Sequence, residues 1–302
     1  MRKILLTLMV FLSMISVKAQ DENIPAFKNR RFGQVELADT TSNGMVTEVA
    51  FYTPQIVNVR HYQENSAVQK KNLVVTLAKQ DVAVSVDAIS DHEITLSSNQ
   101  LRVIYNKETG NVAFYDLQGN QLLKEKEGRT DLTQRKDGTE DSYRVKQTFS
   151  LQSDEKLYGL GQLQNGNWNQ RGKTYDYMIE GNTSVWIPYL HSSKGYALYW
   201  DNASPTSYKD NNTGMSFESA VGYGVDYFFL QGSPTDGQEA VCQMRQLTGQ
   251  VPMIPLWAYG FFQSKERYQS ADETMSVVNR YRRLGVPLDC VVQDWQDRKS
   301  VV

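Results

Sequence analysis

The sequence predicts a mostly β chain, an antiparallel β-sandwich followed by one βαβ unit of parallel α/β architecture. Three observations predict it. From Met45 onward, short runs rich in Val, Ile, Tyr and Phe alternate with turn signals, the texture of a sandwich. Near the C-terminus, two apolar runs of strand length flank an amphipathic helix pattern, which is a strand, a crossover helix and a parallel strand. The 302 residues carry 40% hydrophobic and 11% aromatic side chains and a net charge of −2, enough for one or two ordinary cores. That charge balance excludes the concentrated basic face that nucleic acid requires.

Residues 1–19 read as an export signal. Arg2 and Lys3 form the charged region, Ile4 to Val17 the apolar core, and Val17-Lys18-Ala19 a small-residue site with cleavage expected after Ala19. No cysteine follows to suggest a lipid anchor, and no other stretch is apolar enough to span a bilayer. The expected location is periplasmic or secreted. Residues 20–44 read as an irregular polar lead-in.

The sandwich is expected over residues 45–232. Its strands are Val46 to Tyr52, Ile56 to Tyr62, Leu73 to Leu77, Val82 to Val86, Glu93 to Leu96, Leu101 to Asn106 and Val112 to Asp116, the last two forming a hairpin around Thr109-Gly110-Asn111. Lys124 to Thr139 is charged without an apolar period and reads as a solvated loop. Strands resume at Tyr143 to Phe149, Trp186 to Tyr189, Gly195 to Asp201, Ser216 to Glu218 and Val225 to Leu230. Gly159-Leu160-Gly161 lacks the third glycine and the following helix of a nucleotide-binding turn. The loop Gln162 to Tyr177 holds Trp168, Tyr175 and Tyr177 among amides. Aromatic faces beside polar groups suit a sugar site, and a packed surface loop has the same composition.

Residues 233–254 read as a linker helix and junction, with Ser233 as cap, Pro234 at the first helical position and Gly249 as stop. His61, His92 and His191 stand apart with no ligand spacing, so neither a metal nor a cofactor is expected. Cys242 and Cys290 read as buried apolar residues rather than a disulfide.

From residue 255 the texture changes. Trp257 to Gln263 reads as a strand buried on both faces, and Ser270 with Glu273 as a capping box. Met275, Val278, Tyr281 and Leu284 step along one helix face, and Gly285 and Pro287 end the helix. Leu288 to Gln293 is the second strand, with Asp294 at its carboxyl end, where parallel α/β folds bind ligands. A turn-capping role fits that position equally.

WAYGFFQSKERYQS, YRRLGVPLD and VVQDWQ resemble the start of the catalytic barrel of glycoside hydrolase family 31, which comprises retaining α-glucosidases, α-xylosidases and relatives. EKLYGLGQ (Glu155 to Gln162), IPYLHSSKGYALYWDN (Ile187 to Asn202) and LTGQVPMIP (Leu247 to Pro255) resemble that family's galactose-mutarotase-like sandwich and its junction with the barrel. The resemblance implies an N-terminal antiparallel β-sandwich followed by the first βαβ of an incomplete (β/α)8 barrel over residues 255–302. Asp294 matches a position whose carboxylate contacts sugar hydroxyls, with Trp295 beside it. Glu180 and Asn182 correspond to a loop that helps shape the pocket.

Retaining hydrolysis needs two carboxyl groups about 5 to 5.5 Å apart. In the family both are aspartates on later barrel strands, and no segment here resembles either motif, so no catalytic residue is assigned. The expected function is the N-terminal part of an exported α-glycosidase acting on an oligosaccharide, inactive as an isolated chain. QSKERYQS and VVQDWQ lean toward α-xylosidase on xyloglucan fragments, with α-glucosidase the competing specificity and a non-catalytic carbohydrate-binding sandwich the competing class. No oligomeric state is implied.

Overall fold

The computed structural model describes residues 35–64, 72–88, 90–137 and 140–298; the export signal lies outside them. The chain forms two compact units that divide after Gly249.

The strands of the first unit are β1 (Leu37–Thr40), β2 (Met45–Thr53), β3 (Ile56–Gln63), β4 (Ser85–Ala88), β5 (Glu93–Ser97), β6 (Leu101–Asn106), β7 (Val112–Asp116), β8 (Gln121–Asp137), β9 (Glu140–Ser150), β10 (Leu157–Leu163), β11 (Thr174–Met178), β12 (Ser184–Ser192), β13 (Tyr196–Trp200), β14 (Thr206–Asn211), β15 (Gly214–Gly222) and β16 (Val225–Gln231), and helix α1 (Gly237–Thr248) follows them. They make a seven-stranded sheet in the order β1-β2-β3-β16-β13-β12-β10 and a nine-stranded sheet in the order β11-β14-β15-β9-β8-β7-β6-β5-β4. Every pairing in the two is antiparallel. This is the sandwich that the sequence predicts.

The two sheets meet on aromatic side chains. Phe114 of β7 stacks on Phe229 of β16 with centroids 4.1 Å apart, and Trp200 of β13 stacks on Phe217 of β15. The seven-stranded sheet is buried on its other face as well. Tyr227 and Phe229 point into the sandwich while Phe228 and Leu230 point outward, where Ala240 and Leu247 of α1 cover them. A strand buried on both faces shows no polar alternation, which explains the unbroken run Tyr227 to Leu230. Helix α1 is therefore part of this unit's packing rather than a linker. Its cap is Asp236, whose side chain accepts from the Gln238 N–H at 2.9 Å, and not Ser233, which caps the preceding turn. Gly249, with φ +89°, ends it as expected.

Inside the sandwich lies a polar cluster. Glu125 of β8 is fully buried, and its carboxylate accepts from the Tyr227 hydroxyl (2.7 Å), the Val112 N–H (2.8 Å) and the Asn111 amide (3.5 Å), with His61 Nε2 at 2.8 Å. On the far side of the ring, the Thr47 hydroxyl lies within hydrogen-bond distance of both the Gly110 carbonyl and His61 Nδ1, the latter at 3.0 Å. Burial, and then the neighbouring carboxylate, hold the Tyr227 hydroxyl well above its ordinary range, so it stays a donor. His61 is thus not a solitary residue but the link between β3 and β8.

Four further expectations are corrected. Residues 73–77 and 82–84 are not strands. The Val74 and Val75 N–H groups go to Asn72 Oδ1, those of Thr76 and Leu77 go to the Leu247 carbonyl, and that of Gln80 goes to Tyr52 O. The alternation there reflects Val75 and Leu77 packing outside the seven-stranded sheet and Val82 and Val84 packing against the main core. Lys124 to Thr139, read as a loop, falls largely within the 17-residue strand β8. Its outer half has no apolar period because most of its side chains from Asp131 to Lys136 are exposed, and pairing with β9 supplies the ladder. The lead-in of residues 20–44 includes β1, paired with β2. Cys242 is exposed and Cys290 half-buried, both free thiols, so Cys242 is not the buried residue expected.

The second unit contains a 3₁₀ turn (Leu256–Tyr259), β17 (Phe262–Lys265), α2 (Ala271–Arg283), β18 (Cys290–Gln293) and a helical turn (Trp295–Arg298). Strands β17 and β18 pair in parallel, so the βαβ unit is present. The first strand is shorter than predicted because Pro255 opens a turn, Ala258 N–H to Pro255 O and Gly260 N–H to Trp257 O, and Trp257 in that turn and Phe262 in β17 are exposed rather than buried. Ser270 caps α2 by accepting from Glu273 N–H at 3.1 Å, while the Glu273 carboxylate reaches the Gln269 N–H, one residue before the expected partner. The helix face turned inward holds Val277, Val278 and Tyr281; Met275 and Leu284 are exposed.

Replacing Glu125 with Ala leaves a buried ring, hydroxyl and amide without their acceptor. We expect a loss of about 3–5 kcal/mol, read by urea unfolding of the chain; a loss below about 1 kcal/mol would show that the carboxylate does not tie the sheets.

Candidate functional site

Strand β10 forms one edge of the seven-stranded sheet and carries Gly159-Leu160-Gly161. All three have positive φ, +125°, +65° and +98°, and the register against β12 shifts between the glycines. A Cβ on Gly159 would lie 2.4 Å from Tyr189 O, and one on Gly161 2.0 Å from Val185 O. The glycines let two backbones approach, and the resulting bulge turns Leu160 fully into the core. Tyr158 and Gln162 on either side face solvent.

The loop after β10 is fastened along its length. Gln170 is buried; its N–H donates to Leu157 O at 2.7 Å, its carbonyl accepts from the Tyr208 hydroxyl, and its side chain bridges Asn167 O and the Tyr175 hydroxyl. Asn169 Oδ1 accepts from the Leu157 N–H. Arg171 donates to the Gln152 and Glu155 carbonyls and pairs with Asp210 at 2.8 Å. From this frame Trp168 projects into solvent, 85% exposed. A groove of about 540 Å³ runs between the loop and β10, lined by Tyr158, Gln162, Leu163, Asn167, Trp168 and Gln170 with the backbone of three glycines. Tyr175 packs between Trp186 and Tyr208 and is half-buried, whereas Tyr177, with φ +52°, is exposed.

Glu180 and Asn182 share the exposed turn between β11 and β12. Glu180 Oε1 accepts from the Trp186 N–H at 2.9 Å, and Gly181 bridges Ser184. One carboxylate oxygen of Glu180 therefore shapes this turn. In the second unit Asp294 and Trp295 directly follow β18. The Asp294 N–H donates to Lys265 O at 3.3 Å, so Asp294 stands beside the carboxyl end of β17 as well as that of β18. Asp294 is half-buried and Trp295 is exposed. Gln293 holds the loop before α2 through the Tyr268 N–H and carbonyl, both at 2.9 Å. The four predicted residues thus form two adjacent pairs, one in each unit. Tyr158 lies outside the loop that the sequence marks and Gln162 at its first position; the bulge at Gly159–Gly161 turns both outward to line the groove.

Among the described residues no group of three or more His, Cys, Asp or Glu side chains is placed to hold a metal ion, and no helix is long and apolar enough to cross a membrane. His92 pairs with Glu108 at the surface, and burial lowers the His191 pKa.

Comparison with known proteins gives these features a lineage. Residues 46–208 match the glycosyl hydrolase 31 N-terminal galactose mutarotase-like domain and residues 251–301 the glycosyl hydrolases family 31 TIM-barrel domain. The chain belongs to glycoside hydrolase family 31. It is 36% identical over 259 residues to an α-xylosidase of Saccharolobus solfataricus, covering 82% of this chain and 34% of that protein. It is 28% identical over 225 residues to an uncharacterised family 31 glucosidase of Pseudescherichia vulneris, covering 67% of this chain and 41% of the relative. A crystal structure of a family 31 α-xylosidase from a soil metagenome, complexed with xylose, shares the fold with a TM-score of 0.75 at 24% identity, over 87% of this chain and 40% of that one. The chain thus spans well under half the length of these relatives.

The bulge carries a stability signature. Gly161→Ala is expected to cost about 2–4 kcal/mol, since it adds both a positive-φ penalty and a collision with Val185 O. Gly166→Ala, with φ +70° and nothing within 4 Å of the added Cβ, should cost about 1 kcal/mol. Thermal unfolding of the two variants checks the order; equal losses would contradict the close approach.

Proposed function

We propose that this chain supplies the N-terminal sandwich and the first βαβ of an exported retaining α-glycosidase, with α-xylosidase activity on xyloglucan fragments favoured and α-glucosidase the alternative. The observation that carries the reading is the similarity to the Saccharolobus α-xylosidase, which extends over 82% of this chain. The parallel pair β17–β18 supports it from another side. Two parallel strands joined by one helix cannot enclose a core, and Leu256, Trp257, Phe261, Phe262, Met275 and Leu284 remain exposed around them. Further strands and helices of a closed barrel would cover such surfaces.

In this reading Asp294 is a substrate ligand. A carboxylate at the carboxyl end of a parallel strand accepts hydrogen bonds from sugar hydroxyls, and a charged acceptor makes them strong. Trp295, half-exposed beside it, offers an apolar ring edge. By the family resemblance, Glu180 and Asn182 are sugar-facing polar groups of the sandwich loop. The catalytic nucleophile and acid/base are aspartates expected on later barrel strands, outside residues 255–302, so the isolated chain does not turn over. Residues 1–19 direct export to the periplasm or medium.

The purified chain should release no aryl leaving group from an α-xyloside or α-glucoside above background; turnover would sink the reading. A product of the reading frame continued through the barrel should prefer the α-xyloside, and Asp294→Asn in it should lower kcat/KM about 10- to 100-fold. A variant as active as its parent would remove Asp294 from the substrate site. Exported material should begin at Gln20, as N-terminal sequencing would show; retention of Met1 would contradict the export signal.

A further inference from the structure

The groove along β10 has a lining that selects its ligand by chemistry. Nine residues line it, Tyr158, Gly159, Gly161, Gln162, Leu163, Gly166, Asn167, Trp168 and Gln170, and none carries a charge. An anion, a cation or a nucleotide would meet no counter-charge there. Another cavity among the described residues of this unit differs in this respect, with Asp116 and Lys194 among its walls. What the groove does offer is one flat indole, one phenol and amides. The Gln170 amide is spent on Asn167 O and the Tyr175 hydroxyl. The Gln162 and Asn167 side-chain amides have no partner among the described residues, although each can donate twice and accept twice.

The loop is fixed by Gln170, Asn169 and Arg171 to β10, β14 and the turn before β10, and the indole stays outside. An exposed indole on an anchored loop beside unspent amides matches a neutral polyol with one apolar face: C–H groups stack on the ring, and hydroxyls exchange hydrogen bonds with the amides.

We propose that this groove is a carbohydrate-binding subsite on the sandwich, with Trp168 as the stacking platform and Gln162 and Asn167 as hydroxyl partners for a neutral pyranose. Tyr158 closes one side. The choice of xylo- and gluco-configured sugars as probes rests on the family reading above, whereas the site itself rests on its lining.

The test is calorimetric titration of the full chain with xylo-oligosaccharides and gluco-oligosaccharides, in parallel with the Trp168→Ala, Trp168→Phe and Gln162→Ala variants. Binding by the parent chain is expected for at least one series. Trp168→Ala should weaken it at least about tenfold, in line with the loss of one stacking contact. Trp168→Phe should retain most of it, and Gln162→Ala should weaken it several-fold. Because the indole is exposed, thermal midpoints should be unchanged, which separates loss of a site from loss of the fold. Binding that survives Trp168→Ala overturns the proposal, as does a parent chain that binds neither series. Either failure leaves the hydrolase reading standing, because that reading is tested by turnover and not by this titration.

Discussion

The architecture depends on one carboxylate. Glu125 lies in the buried centre of the sandwich, where a carboxylate persists only if its lone pairs are occupied. The groups that occupy them come from both sheets: His61 and Tyr227 from the seven-stranded sheet, Val112 and Asn111 from the hairpin of the nine-stranded one. Apolar packing alone sets how closely two sheets approach but tolerates sliding. A carboxylate with directional partners on both sides does not, so the stacking of Phe114 on Phe229 and of Trp200 on Phe217 follows from a registration that Glu125 helps to impose.

A second buried carboxylate carries this order outward to the groove. Glu155 accepts from the Ser192 and Tyr196 hydroxyls, each at 2.5 Å, and from the Gln152 N–H. Burial, then the Glu155 charge, push the Tyr196 hydroxyl far up, which keeps it protonated as the donor. The carbonyl of the same residue takes Arg171, and Arg171 with Asp210 holds the loop that presents Trp168. The path from core to surface is thus a chain of charge-assisted bonds rather than a flexible hinge.

Much of this was legible in the residues themselves. Short alternating runs identified the sandwich, and the capping box at Ser270, the stop at Gly285 and the two apolar runs identified the βαβ unit, because those signals are local. What failed depended on neighbours far along the chain. The valines at 74 and 75 look like a strand, yet their amides are spent on Asn72 and the next two on the end of α1. Charged β8 looks like a loop, because its strand character comes from β9 and not from its own side chains. His61 looks isolated because its partner lies 64 positions away. In the groove, Trp168 was visible as an aromatic in a polar loop, whereas the outward turn of Tyr158 and Gln162 depends on a bulge that only the approach of β12 explains.

The outer half of the β8–β9 ribbon has a consequence for how the protein can change. From Thr130↔Gln147 to Asp137↔Glu140 the two strands pair one residue to one without interruption, and beyond Tyr143 no pairing joins β9 to β15. Each further pair of rungs, two residues on each strand, is a self-contained unit whose removal or duplication leaves the alternation of every other rung intact. This arm can therefore lengthen or shorten by pairs of rungs while the registration around Glu125 stays as it is, making it a place where relatives of this chain can differ in reach without differing in core.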